Sequence, residues 1–341
     1  MESPSALLRR QALHAWVAQT HPIPIEALAP ASADASFRRY FRFRHDGESR
    51  IVMDAPPAQE DCRPFVAVAA LMAEAGLHVP RVLRADLHQG FLMLTDLGDT
   101  TYLARLQAPD IAPAETDRLY RAALQALLPW QGASRPAVLP PYDGALLWRE
   151  LDLFPQWYVD RHLARPLTPT QADVFRTVGE RLVQAALAQP QVFVHRDYHA
   201  RNLMVCAPEP GVLDFQDAVL GPITYDAVSL LRDAYIAWEE AQQLDWLVRH
   251  WEGARAGCLP VAADFAGYYR DFEWMGVQRH LKVLGIFARL YHRDGKAGYL
   301  ADMPRVGEAL HAACRRYREL APLAHLLDTL WDETPVKGFT F

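Results

Sequence analysis

Residues 4–19 carry Leu7, Leu8, Leu13, Trp16 and Val17 at helical spacing and run out at Pro22 and Pro24, so a helix is expected there. The pattern then changes. Phe41-Arg42-Phe43-Arg44 alternates apolar and charged, as a half-buried strand does, and the HDGES segment (45–49) turns the chain into a second strand over 50–53. Residues 61–75 return to helical spacing through Phe65, Val66, Ala69 and Met72, with Asp61 as the expected N-cap and Gly76 as the stop. Two more strands, 82–87 and 91–94, flank the His88-Gln89-Gly90 turn. The predicted order is strand, strand, strand, helix, strand, strand. From Thr101 on, helical periodicity dominates: 114–128, 156–163 entered through Pro155, 171–188, 225–238 and 264–290, with a Pro-rich connection over 130–141.

The chain has 341 residues, 51% hydrophobic and 22% charged, which suits a soluble core in about two domains. A small-sheet domain over 1–97 and a helical one over 98–341 are expected. A net charge of −6 offers no general attraction to nucleic acid or anionic membranes. Cys62, Cys206, Cys258 and Cys314 are far apart and include no C-x-x-C pair, so they are expected as free thiols in a reducing compartment. No apolar run approaches membrane-spanning length and the N-terminus lacks a signal-peptide core, so a cytoplasmic protein is expected; a monomer is expected as well. The three lysines, Lys282, Lys296 and Lys337, all lie late in the chain.

Residues 192–226 carry the chemistry. Val192-Phe193-Val194 delivers His195, Arg196 and Asp197 into a polar loop that closes at Asn202. Residues 203–205 lead away, and after a turn rich in Pro and Gly a short strand at Val212-Leu213 ends on Asp214. Strands joined this way should lie side by side, so Asp197, Asn202 and Asp214 can converge at one end of a small sheet. That trio suits phosphoryl transfer. A loop carboxylate can orient a hydroxyl and take its proton, while an amide oxygen and a second carboxylate hold Mg2+ on nucleotide phosphates. The H-R-D-x-x-x-x-N spacing is reproduced, and Asp214-Phe215 follows where a Mg2+ carboxylate is expected. The plain alternative is an Asp-bearing turn whose amide bonds its own backbone; the spacing, the flanking strands and Asp214 argue against it. His195 is expected to support the loop from beneath. Asp226 either braces it by hydrogen bonding or is simply a carboxylate at a helix N-terminus.

With these motifs the chain resembles the aminoglycoside phosphotransferase family of small-molecule kinases over residues 30–300. The resemblance is carried by HRDYHARN (195–202), LDFQD (213–217), LTDLGD (94–99) and GPITYDAVSLLRD (221–233). More narrowly it is similar to the bacterial anomeric sugar kinases that phosphorylate N-acetylmuramate and N-acetylglucosamine at the 1-hydroxyl in cell-wall recycling. DASFRRYFR (34–42), IVMDAPP (51–57), EDCRPFV (60–66), QRHLKVLGIFARL (278–290) and RDGK (293–296) carry that likeness. The resemblance implies an α+β, bilobal, protein-kinase-like fold, ATP and Mg2+ as cofactors, Asp197 as catalytic base, and Asn202 and Asp214 as metal ligands. It also implies that Ser36, Phe37 and Arg38 cover the phosphates and that Met93, Thr95 and Leu97 form a hinge for the adenine.

The small-lobe lysine of that family is missing. Met53 stands at its apparent position, so either an arginine of the hairpin (Arg38, Arg39, Arg42 or Arg44) reaches the phosphates, or Mg2+ and backbone amides carry that charge. Candidates to face an amino-sugar acceptor are Asp197, His199 and Arg201 on the loop, and Trp274, Gln278 and Arg279 on an aromatic and basic helix. A core helix with a solvated basic face is the competing description of that segment. Residues 270–296 hold six Arg/Lys against three acids, a balance suited to a neutral or carboxylated sugar rather than a polycation. The alternatives are an aminoglycoside or other hydroxyl phosphotransferase, and a pseudokinase that binds nucleotide without turnover.

Overall fold

The protein is described by a computed structural model over residues 4–32 and 37–332; Ser36 lies outside the described residues. The first elements are α1 (Pro4–Ala18), β1 (Ala29–Ser32), β2 (Arg39–His45), β3 (Glu48–Asp54), α2 (Arg63–Glu74), β4 (Val82–Asp86), β5 (Phe91–Thr95), α3 (Tyr102–Leu106) and α4 (Pro113–Gly132). The five strands make one antiparallel sheet in the order β1-β2-β3-β5-β4. The β2–β3 hairpin closes on Asp46-Gly47, both at positive φ (49° and 81°), the mirror-image turn that matches strand twist.

Alternation along β2 sends Phe41 and Phe43 into a core with Val52, Phe91, Met93 and, from α1, Leu13, Trp16 and Val17. The expectation that Leu7 and Leu8 share that face is corrected: they are 47% and 67% exposed. At 100° per residue they fall on other sides of the helix, and Arg9 takes the inward place, its Nε donating to Asp54 Oδ1 at 2.7 Å. The N-cap of α2 is also corrected. Cys62 occupies that position without a side-chain bond, while Asp61 accepts the Arg63 N–H at 2.9 Å.

The remaining elements are α5 (Gly144–Leu151), a π-helical stretch (Phe154–His162), α6 (Pro169–Ala188), β6 (Gln191–Val194), β7 (Leu203–Met204), β8 (Gly211–Val212), β9 (Val219–Pro222), α7 (Tyr225–Leu231), α8 (Glu240–Ala256), α9 (Phe265–Asp294), α10 (Met303–Arg316) and α11 (Ala321–Asp332). β7 pairs with β8, as the intervening turn predicts, and β6 pairs with β9. Helix α7 ends at Leu231 instead of continuing to 238. Asp233 competes for the backbone there: its Oδ1 accepts the Tyr235 N–H at 3.0 Å and its Oδ2 the Ala200 N–H at 2.9 Å.

Two compact units result, one of residues 1–130 with 201–217, the other of 131–200 with 218–341. In the second, α9 is the central helix, buried over most of its middle and stopped by Gly295 at φ +69°. A Cβ built at Gly285 would lie 2.4 Å from the Leu153 carbonyl carbon, so glycine lets α9 approach the end of α5 closely and brings Glu150 within reach of Lys282. No helix among the described residues is long and apolar enough to cross a membrane, and no disulfide joins the four cysteines.

Candidate active site

The boundary between the two units falls inside the loop that follows β6, between Ala200 and Arg201. In the second unit, β6 ends on His195, which is fully buried. The Asp197 N–H donates to His195 Nδ1 at 3.2 Å, and Tyr198 stands edge-on to the ring. Asp226, at the start of α7 and also fully buried, accepts the His195 N–H at 2.7 Å and the Arg196 N–H at 3.0 Å, one on each oxygen. Arg196 sits at φ +77°, uncommon for a non-glycine residue and costly unless its surroundings hold it. The Asp226 pair of bonds supplies that hold.

Burial pushes the Asp226 pKa up to about 7, against the two N–H donors that favour its ionised form. Asp226→Asn keeps the shape but turns an NH2 group toward one of those N–H groups. We expect a loss of roughly 1–3 kcal/mol and a lower kcat with little change in KM. Urea unfolding and steady-state kinetics on the one variant check both.

Around Asp197 lies a cluster that the motifs did not reveal. Glu150, nearly buried, accepts from Arg196 Nη2 at 2.5 Å, from Lys282 Nζ at 2.9 Å, from Gln278 Nε2 at 3.3 Å and, over a very short contact, from Tyr142 OH. Lys282 Nζ also donates to Tyr225 OH at 3.0 Å. Arg279 Nη1 donates to the Arg196 carbonyl at 2.9 Å and to Tyr225 OH at 3.2 Å, and its Nη2 comes 4.0 Å from Asp197 Oδ1. Arginine and lysine thus outnumber the ionised carboxylates of this cluster. Burial alone would raise the Asp197 pKa, but Lys282, Arg279, His199 and Arg196 together hold it well below the usual carboxylate range. Its side chain is still 39% exposed, so an ionised carboxylate faces outward from a cationic bed.

Of the other acceptor candidates, Gln278 is fully buried and Trp274 nearly so, the latter under Arg270 with the guanidinium carbon 4.2 Å from the ring centroid. His199 meets the Tyr235 ring edge-on at 5.6 Å. Asp233, which takes the Ala200 N–H, also lines a cleft with Arg232, Ile236, Glu240, Tyr269 and Arg305.

His280 lines the same cleft, 2% exposed, with its Nε2–H donated to the Arg232 carbonyl at 3.2 Å. Burial, with the Arg232 charge, lowers its pKa to about 3. Between that value and the unfolded one near 6.5 the unfolded chain binds more protons, so stability falls as pH drops through this window. Urea midpoints at pH 7 and pH 5 should show a smaller acid loss for His280→Asn than for the parent; equal losses would contradict this.

In the first unit, the Asn202 carbonyl accepts the Leu213 N–H at 2.9 Å across the β7–β8 pair. Asn202 Nδ2 and Asp214 Oδ2 lie 3.4 Å apart, and Gln216 Nε2 donates to Asp214 Oδ1 at 2.8 Å. Asp214 sits at φ +62°, and Phe215 behind it packs on Phe65 of α2, ring centroids 4.8 Å apart. Here Asn202 turns its NH2 to Asp214; rotated about its last bond, the amide would set its oxygen beside that carboxylate, two hard donors of the kind Mg2+ takes. Among the described residues no three His, Cys, Asp or Glu side chains form a metal cage; Mg2+ does not require one, since it retains waters and takes substrate phosphates. At the hinge candidates, Met93 and Leu97 are buried, and Thr95 Oγ1 accepts the Arg81 N–H at 2.9 Å. Phe37 is 61% exposed and Arg201 is exposed.

The model of the phosphotransferase enzyme family matches residues 27–268. An N-acetylmuramate/N-acetylglucosamine kinase of Pseudomonas aeruginosa is 49% identical over 94% of this chain and 97% of its own length. One so named from Neisseria meningitidis serogroup B is 48% identical over 98% and 99%. Among solved structures, the streptomycin-ATP-APH(2'')-IIa ternary complex superposes with a TM-score of 0.59 at 14% identity, covering 91% of this chain and 99% of that one. The α+β kinase-like fold is therefore shared well beyond recognisable sequence likeness.

Proposed function

Because this chain belongs to the phosphotransferase enzyme family, we propose that it transfers the γ-phosphoryl group of ATP to the anomeric 1-hydroxyl of N-acetylmuramate and N-acetylglucosamine. The feature that carries the chemistry is Asp197: partly exposed, 4.0 Å from Arg279 Nη2, and held in its ionised form by the charges of Lys282, Arg279, His199 and Arg196. Such a carboxylate orients a sugar hydroxyl and accepts its proton as the new P–O bond forms. His195 and Asp226 fix the loop that presents it. Asn202 and Asp214 would hold Mg2+, which when bound screens the phosphate charge. Ser36, Phe37 and Arg38 would lie over the phosphates, and Met93, Thr95 and Leu97 would border the adenine.

The acceptor assignment is supported by the near-full-length likeness to two kinases named for these sugars. The cleft beside Ala200 mixes Arg232, Arg305 and Arg316 with Asp233 and Glu240, a lining that suits a neutral or carboxylated sugar better than a polycation. His199, Arg201, Trp274, Gln278 and Arg279 remain the candidates for shaping the acceptor side. Arg279 and Gln278 would do so through Asp197 and Glu150, the groups they approach or bond. The enzyme would work as a cytoplasmic monomer.

A panel of acceptors with γ-labelled ATP tests this reading. Label should move to N-acetylmuramate and N-acetylglucosamine and not to an aminoglycoside. Transfer to the aminoglycoside alone would favour the broader family activity, and ATP binding without transfer to any acceptor would mark a pseudokinase.

A further inference from the structure

Enzymes that move a phosphoryl group need positive charge beside the nucleotide phosphates, and no lysine precedes Lys282 in this chain. On β3, Met53 is fully buried opposite Tyr40 of β2 and offers no charge. The hairpin arginines can be told apart by their partners. Arg39 bonds Asp54 Oδ2 through Nε at 3.1 Å and Nη2 at 2.5 Å. Arg42 is bidentate on Asp96 and donates also to the Gly98 carbonyl at 2.6 Å. Arg44 is exposed on the strand.

Arg38 differs. Its side chain is only 10% exposed, its Nη2 donates to Glu60 Oε2 at 2.9 Å, and its Nη1 lies 3.9 Å from Asp214 Oδ1. That last distance is longer than a hydrogen bond, so the two groups meet as charges and not as a bonded pair.

We propose that Arg38, anchored by Glu60, is the cation that stands in for the missing lysine and binds the phosphate oxygens of a nucleoside triphosphate beside Asp214. This rests on the phosphotransferase reading above and deepens it by naming the residue that receives the phosphates and the one that aims it. Glu60 is a positioning residue: it holds one edge of the guanidinium fork and directs the other toward Asp214. A planar fork recognises two phosphate oxygens at once, which an ammonium does not, so lysine is a poor replacement here. The arrangement also explains how β3 can carry methionine. The charge enters from the segment before β2, and Met53 is released to fill the core.

Calorimetric titration with a non-hydrolysable ATP analogue and Mg2+, with no acceptor present, tests this. Arg38→Met should bind about 10- to 100-fold more weakly than the parent, and Arg38→Lys should recover only part of the loss. Glu60→Gln, which keeps size and a hydrogen-bond acceptor, should lose roughly three- to tenfold in the same titration. Should Arg38→Met fail to fold, Glu60→Gln carries the test at its smaller amplitude. Parent-like affinity in the folded variants overturns the role of Arg38. A parent protein that binds no nucleotide overturns the phosphotransferase reading itself.

Discussion

Asp197→Asn is expected to lower kcat by about 10²- to 10⁴-fold, the usual contribution of a positioned general base, with both KM values nearly unchanged. Asparagine retains an oxygen that can accept a hydrogen bond from the sugar hydroxyl but cannot take its proton. The depressed pKa of Asp197 adds a second expectation. The group stays ionised through the neutral range, so kcat should show no acid limb from it above about pH 4, the ordinary carboxylate value. The variant should remain folded, because Glu150 still bonds Lys282 and Arg196. It should nevertheless be somewhat less stable at neutral pH, since a carboxylate with a lowered folded pKa stabilises the protein above its unfolded value. Near-parental kcat in a folded Asp197→Asn protein would remove the assignment.

The second large effect belongs to Glu150. It receives four donors in a site from which water is nearly excluded, and two of them, Arg196 and Lys282, are charged. Glu150→Gln would take from those cations the carboxylate they bond, a change that costs about 3–5 kcal/mol in buried pairs. A marked drop in melting temperature and urea midpoint is expected. So is a fall in kcat, since Arg196 and Lys282 set the field at Asp197. Because the loss comes from unpaired charge, removing a cation as well should restore part of the stability. Glu150→Gln with Lys282→Met should therefore be more stable than Glu150→Gln alone. If the double variant is no better, the cluster is not an electrostatic unit.

The contrast between these two residues shows how far residue patterns reach. Asp197, Asn202 and Asp214 could be proposed as a set because the H-R-D-x-x-x-x-N spacing and the Asp214-Phe215 pair after it are short local patterns. The β7–β8 pair was legible because a Pro/Gly turn joins its strands. Asp226 could be suspected from its place at a helix start, but its bonds to two loop amides link positions about 30 apart.

Glu150 left no local trace. In LWRELDLF it reads as one polar residue on a helix, and its partners Arg196 and Lys282 are brought to it only by tertiary packing, including the close approach at Gly285. An acidic residue within an apolar helix, in a chain with few lysines, was the one available hint. Elsewhere local pattern was overruled by geometry. Leu7 and Leu8 have the composition of a core face but the wrong helical phase. The run expected to carry α7 to residue 238 is broken because Asp233 turns its carboxylate to the backbone of Tyr235 and Ala200. For Arg38, the residues showed that a cation was missing; its partners Glu60 and Asp214 singled out one arginine of four.

The most direct measurement is to incubate the purified protein with Mg-ATP and N-acetylmuramate and to locate the transferred phosphate by phosphorus and proton NMR. A single new phosphate coupled to the proton on C1 of the sugar is the predicted product, formed by the parent and nearly lost with Asp197→Asn. Phosphate on any other hydroxyl, or ATP left intact, would contradict the account.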